Sequence, residues 1–113
     1  MNNTEVVNTA SKYIVKTTGA GSETDQVLVN ANDLTGGTNK SLVSLIECYY
    51  LIEGTGILTI SAGDETLPLD GKGKYGLRPS QLKFGNDKIF KLTTDSNVRN
   101  YLLVTEFRRE SNG

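Results

Sequence analysis

Cys48 is the only thiol in a 113-residue chain that contains no histidine. Those two facts close off most side-chain chemistry. A serine or cysteine nucleophile needs an adjacent base, and Ser-His-Asp or Cys-His arrangements cannot be built without imidazole. One cysteine cannot supply the four ligands of a structural zinc, and a cupin-type metal site needs histidines too. Cys48 would be nucleophilic only beside a cation that lowered its pKa. Mid-run in an apolar stretch, it reads as core packing.

The carboxylates Asp64, Glu65 and Asp70 are the closest approach to an acid/base pair of the glycosidase kind. Their places beside turn residues make them solvated loop groups instead. Asp33 and Asp87 offer loop oxygens for calcium, but no spacing resembles an EF-hand. Gly71-Lys72-Gly73-Lys74-Tyr75-Gly76 matches G-x-G-x-x-G literally. A dinucleotide fingerprint needs a strand before it and a helix opening after it, within a βαβ unit. Pro79 and a β-like segment follow instead, so the stretch reads as a mobile hairpin turn. No catalytic residue, metal ligand or cofactor is expected.

Between residues 72 and 91 stand Lys72, Lys74, Arg78, Lys83, Lys88 and Lys91, interleaved with Tyr75, Phe84 and Phe90. Basic residues mixed with aromatics are a nucleic-acid pattern. The net charge of −1 and the spread of these cations over several strands argue against it. Residues 1–70 carry three basic and nine acidic side chains, a balance of −6, and residues 71–113 carry nine and four, a balance of +5. Neighbouring strands that offset each other explain this; complementary faces that orient partners are the alternative. The sequons at Asn2 and Asn39 carry no meaning without a secretory signal. The N-terminus has neither a basic region nor an apolar signal core, and the longest apolar run, Leu42 to Ile52, is far short of a membrane span.

The elements around these residues are strands. Twelve glycines with abundant Thr and Asn, interleaved with short apolar runs, predict many strands joined by tight turns. Residues 1–11 are polar around Val6-Val7 and predict a flexible arm that orders only against a neighbour or never orders. Strands follow over 12–18, 25–31 (with Val27 and Val29 on one face), 41–53, 56–62, 65–69, 77–84, 88–94 and 98–108. Pro68 places 65–69 at a sheet edge. In 41–53 and 98–108 both alternating sets are apolar, which predicts strands buried on both faces. Residues 32–40, 70–76 and 85–87 read as turns, and 110–113 as an exposed tail. The whole is a single all-β domain over 12–109, an antiparallel sandwich of about eight strands, jelly-roll-like or barrel-like.

The stretch from Tyr49 to Arg108 resembles small structural proteins of tailed bacteriophages. The residues that carry the likeness are Gly54-Thr-Gly-Ile-Leu-Thr-Ile60, Leu67-Pro-Leu-Asp-Gly-Lys-Gly-Lys-Tyr75 and Asn100-Tyr-Leu-Leu-Val-Thr-Glu-Phe-Arg108. The resemblance implies a non-enzymatic virion protein, made in the host cytoplasm, that decorates and cements the capsid surface. It implies the major capsid protein or another virion protein as partner, and a homo-oligomer, often a trimer. A head–tail or tail component is the alternative within that class. Outside it stands a carbohydrate-binding sandwich stacking sugars on Tyr49, Tyr50 or Tyr75. The candidate contact residues are Val6, Val7, Tyr49, Tyr75, Arg78 and Arg108, with no membrane and no nucleic acid among the partners.

Overall fold

The computed structural model describes residues 1–34, 36, 41–76 and 84–111. Ten strands account for most of them: β1 (Asn2–Asn8), β2 (Lys12–Gly19), β3 (Gln26–Asn30), β4 (Ser41–Gly54), β5 (Leu58–Ala62), β6 (Glu65–Leu69), β7 (Lys72–Tyr75), β8 (Phe84–Asp87), β9 (Ile89–Thr94) and β10 (Val98–Ser111). One 3-10 turn, Ala31–Asp33, follows β3, and Asn30 caps it by accepting from the Asn32 amide.

The larger sheet runs β1-β2-β10-β4-β7, with β8 beside β7 on the same edge of β4, and the smaller runs β3-β9-β5-β6. Every pairing is antiparallel. Without β1 and β8, the remaining eight strands pair as β2-β10-β4-β7 and β3-β9-β5-β6, the jelly-roll order, so the expected sandwich is the observed one. The core lies between the sheets. Val15, Val43, Leu45, Leu103 and Phe107 from the larger meet Leu58, Ile60, Phe90 and Leu92 from the smaller, all of them fully buried. Phe90 and Phe107 meet edge to face across the gap, ring centroids 5.0 Å apart.

Several local expectations change. The polar residues expected as a free arm form β1, which pairs with β2 from Asn2 opposite Thr18 to Asn8 opposite Tyr13. Backbone hydrogen bonds to an existing strand hold it, so it needs no apolar face of its own. Asn3 also accepts from the buried Thr17 hydroxyl at 2.6 Å. Residues 70–76, expected as a turn, hold β7, which pairs with β4 from Lys72 opposite Leu51 to Tyr75 opposite Cys48. The expected turn at 85–87 is part of β8. At the C-terminal end, Arg109 to Ser111 continue β10 against β4, so the strand runs past its expected end at Arg108. The expected turn at 32–40 and strand at 77–84 lie largely outside the described residues.

Two bulges decide which side chains point inward. In β3 the register shifts between Val27 and Val29, so Val27 turns to solvent while Val29 joins the core. The shared face expected for these two is therefore lost. In β4 a shift at Ile46 restores phase, so that Val43, Leu45, Cys48 and Ile52 all face inward. The two-sided burial expected of β4 and β10 holds only in part. Their second apolar sets, Tyr49 and Leu51 on β4 and Leu102 on β10, stand on the outer face and are exposed.

Candidate binding surface

The two sheets differ in what they show to water. On the smaller sheet, cross-strand rows place Pro68, Thr59 and Thr93 together, and Thr66, Ser61, Lys91 and Val27 together. Hydroxyls dominate this face, with Val27 a single exposed apolar side chain at its β3 edge. On the larger sheet one row reads Thr18, Leu102, Leu51, Lys72, and the next reads Lys16, Val104, Tyr49, Lys74. Tyr49 is 49% exposed, Leu51 44% and Leu102 36%, with Val104 half-buried between them. Four apolar side chains from two adjacent central strands thus form one contiguous exposed patch, the kind that marks an interaction surface.

Charges frame the patch. Glu47 and Glu106 stand directly opposite each other on β4 and β10. Each has a lysine: Lys74 Nζ lies 2.9 Å from Glu47, and Lys12 Nζ 3.9 Å from Glu106. The Lys74 ammonium also sits over the Tyr49 ring, 4.7 Å from its centroid. Its pKa is held above the ordinary value, first by the hydrogen bond with Tyr49 and then by Glu47. Lys74 with Glu47 sets the basic last part of the chain against the acidic first part, whereas Lys12 with Glu106 runs the other way.

The sequence-derived contact residues scatter over this frame. Tyr49 sits in the patch. Arg108 lies on the same outer face of β10, exposed and paired across strands with Lys12 and Ser44. Val7 lies beside Ile14 on that face, half-buried, and Val6 occupies the bulge of β1 at 57% exposure. Tyr75 points the other way: it packs against the core, and burial raises its pKa. Arg78 lies outside the described residues. The sequence reading missed Leu51, Leu102 and Val104 as surface residues by assigning both phases of β4 and β10 to the interior. The signal was present, since Tyr49-Leu51 and Leu102-Val104 run out of phase with Cys48-Ile52 and Tyr101-Leu103.

The same geometry bears on the chemistries considered above. Cys48 is buried, and burial pushes its thiol up to about 12, so it is protonated near neutrality and inert. Asp64 and Asp70 flank the two ends of β6, roughly 20 Å apart along an extended strand, well beyond the 5–10 Å or so of a glycosidase pair. The glycine motif is occupied by β7, whose backbone is committed to pairing with β4. Among the described residues, its cations and Lys91 stand apart: Lys72 and Lys74 face outward on the larger sheet, and Lys91 on the smaller. Among the described residues, no three His, Cys, Asp or Glu side chains gather where they could hold a metal ion. Of the three tyrosines considered as sugar platforms, Tyr50 and Tyr75 pack against the core, and Tyr49 carries a lysine over its ring.

No protein-family model matches the chain, and no curated protein matches it. Among solved structures it is similar to a cupin domain from Bordetella pertussis Tohama I. The two are 7% identical, the match covers 97% of this chain and 93% of that one, and the TM-score is 0.48. That likeness carries no inference about function. The jelly-roll assignment rests on the strand pairing itself, and the surface argument on the contrast between the two outer faces.

Proposed function

We propose that this is a non-catalytic structural domain that works by being built into a larger protein assembly, and that the assembly is the capsid of a tailed bacteriophage. The observation that carries the first part is the contrast between the outer faces: mostly hydroxyls around an isolated Val27 on the smaller sheet, a contiguous apolar patch framed by charge on the larger. A face of that kind is stable in water only at a cost and gains by being covered. The buried, protonated Cys48 and the dispersed carboxylates agree with a part that performs no reaction. The second part rests on the sequence resemblance, and it assigns the chain to decoration of the outer shell.

The test is sedimentation of purified protein with expanded shells of the phage that encodes it, followed by heating of the shells with and without bound protein. Saturable co-sedimentation and a higher shell melting temperature are the expected outcome. Protein left entirely in the supernatant overturns the capsid assignment. Labelled protein found on tails in electron micrographs would move it to the tail.

A further inference from the structure

We infer that the apolar patch of the larger sheet is covered by a second copy of this chain, across a two-fold axis that passes through Val104 and Leu51. The inference names what covers the face proposed above, and it does not depend on the capsid assignment. It follows from treating the outer face as a grid. Neighbouring strands are about 4.8 Å apart, and successive outward residues along a strand about 6.8 Å apart. Beyond the row Thr18, Leu102, Leu51, Lys72 stand Asn100 and Glu53; beyond the row Lys16, Val104, Tyr49, Lys74 stand Ile14, Glu106 and Glu47.

An isologous face-to-face contact needs a two-fold axis lying in the face. Four directions bring the apolar centres together. An axis along the strands sets Lys16 against Lys74 and Glu106 against Glu47 of the other copy. An axis across the strands sets Glu53 against Glu47. The diagonal through Leu102 and Tyr49 sets Lys72 against Lys16, even as it brings Glu47 over Lys74. All three juxtapose like charges. The diagonal through Val104 and Leu51, roughly 35° from the strands, does the reverse. It returns Leu51 and Val104 onto themselves and carries Leu102 onto Tyr49. It also brings Glu53 over Lys72 and Glu106 over Lys16, each within about 3 Å in the plane of the face.

Charge complementarity therefore selects one axis of the four. Under it the strands of the two copies cross at roughly 70°, toward the orthogonal class of sheet packing. Five strands span about 24 Å, so the overlap of two crossed faces is about 600 Å² on each copy, or about 1,200 Å² in all. That reaches the lower end of specific interfaces and corresponds to a dimer that dissociates on dilution.

Sedimentation velocity over a wide concentration range tests this with the purified chain alone. A monomer–dimer equilibrium is expected. Leu51→Asp, which places two charges face to face on the axis, should leave monomer at every concentration. Lys72→Glu alone should weaken the dimer about tenfold or more, and the exchange of Lys72→Glu with Glu53→Lys should restore it. All three positions are exposed, so an unchanged thermal melt of each variant separates loss of association from loss of fold. A wild-type chain that stays monomeric up to millimolar concentration overturns the inference. So does a dimer indifferent to Leu51→Asp, which would place the contact elsewhere, for instance at the β1 edge. A single reversal that the exchange fails to rescue overturns the diagonal axis. A dimer that forms while the chain ignores phage shells leaves this inference standing and removes the capsid assignment.

Discussion

The Tyr101 hydroxyl donates to Glu23 Oε1 at 2.6 Å, joining β10 to the segment between β2 and β3 across 78 positions of sequence. Glu23 also lies 2.8 Å from the Met1 amino nitrogen, and its own amide donates to the Thr94 hydroxyl at 3.0 Å. Glu23 thus ties both sheets at this end of the sandwich, its carboxylate to the larger and its backbone amide to the smaller. Tyr101→Phe keeps the ring and removes the donor, leaving part of a mostly buried carboxylate without its partner. A loss of about 2 kcal/mol is expected, read as a lower urea midpoint with an unchanged slope.

Alkaline pH should destabilise the fold through Cys48 before it does so through the tyrosines. The thiol rises from an ordinary 9.0 to about 12 because burial penalises its thiolate. Below pH 9 the folded and unfolded states both keep the proton, and the group contributes no pH dependence. Between pH 9 and 12 the unfolded state releases it while the folded state holds it. Stability therefore falls as pH rises, by up to about 1.4 kcal/mol per unit. Tyr101 acts in the same direction from 10.0 upward, raised by burial first and by Glu23 second. In urea titrations at pH 8, 9 and 10, Cys48→Ala should flatten the early part of that decline. A parallel decline in the variant would show that the thiol is not its source.

Phe107 holds the two sheets together through its edge-to-face contact with Phe90. Phe107→Ala should lose about 3–5 kcal/mol, because the cavity lies between two rigid sheets that collapse poorly. Phe107→Leu should lose less. Equal losses for the two would mean that the aromatic ring carries the whole effect and that the aliphatic bulk kept by leucine contributes nothing.

Gly76 ends β7 at φ +81°, and a Cβ there would run into the Ile46 carbonyl oxygen. Gly76→Ala combines strain at positive φ with a backbone clash, so a loss of about 1–3 kcal/mol is expected. Hydrogen exchange should localise it, with amides of the β4–β7 ladder losing protection while those of β5 and β9 keep theirs.

The elements that the sequence makes legible are those whose side chains alternate. β2, β5, β6 and β9 fall where β-branched and apolar residues recur at every second position, and Pro68 marks β6 as an edge strand. β1 and β7 escape that logic. Asn2-Asn-Thr and Lys72-Gly-Lys-Tyr75 have no apolar alternation, because an edge strand is held mainly by the ladder it joins. The bulges at Leu28 and Ile46 are likewise invisible to a period-two reading, yet they decide whether Val27 or Cys48 faces water. At the candidate surface, Tyr49 is legible as an exposed aromatic. Tyr75 is not, since only its place opposite Cys48 turns it inward. The apolar row of Leu51, Leu102 and Val104 reads as core until the strand order shows that only one face of the larger sheet meets the smaller.

β10 lies between β2 and β4, pairing with β2 over Tyr101–Arg108 and with β4 over most of its own length. Until it inserts, the β1–β2 hairpin on one side and the β4 ladder on the other each present an open row of amides and carbonyls. The slot is then a template that a neighbouring molecule's strand can enter as readily as the chain's own. Refolding yield should therefore fall steeply with protein concentration, and brief dilution during renaturation should recover it.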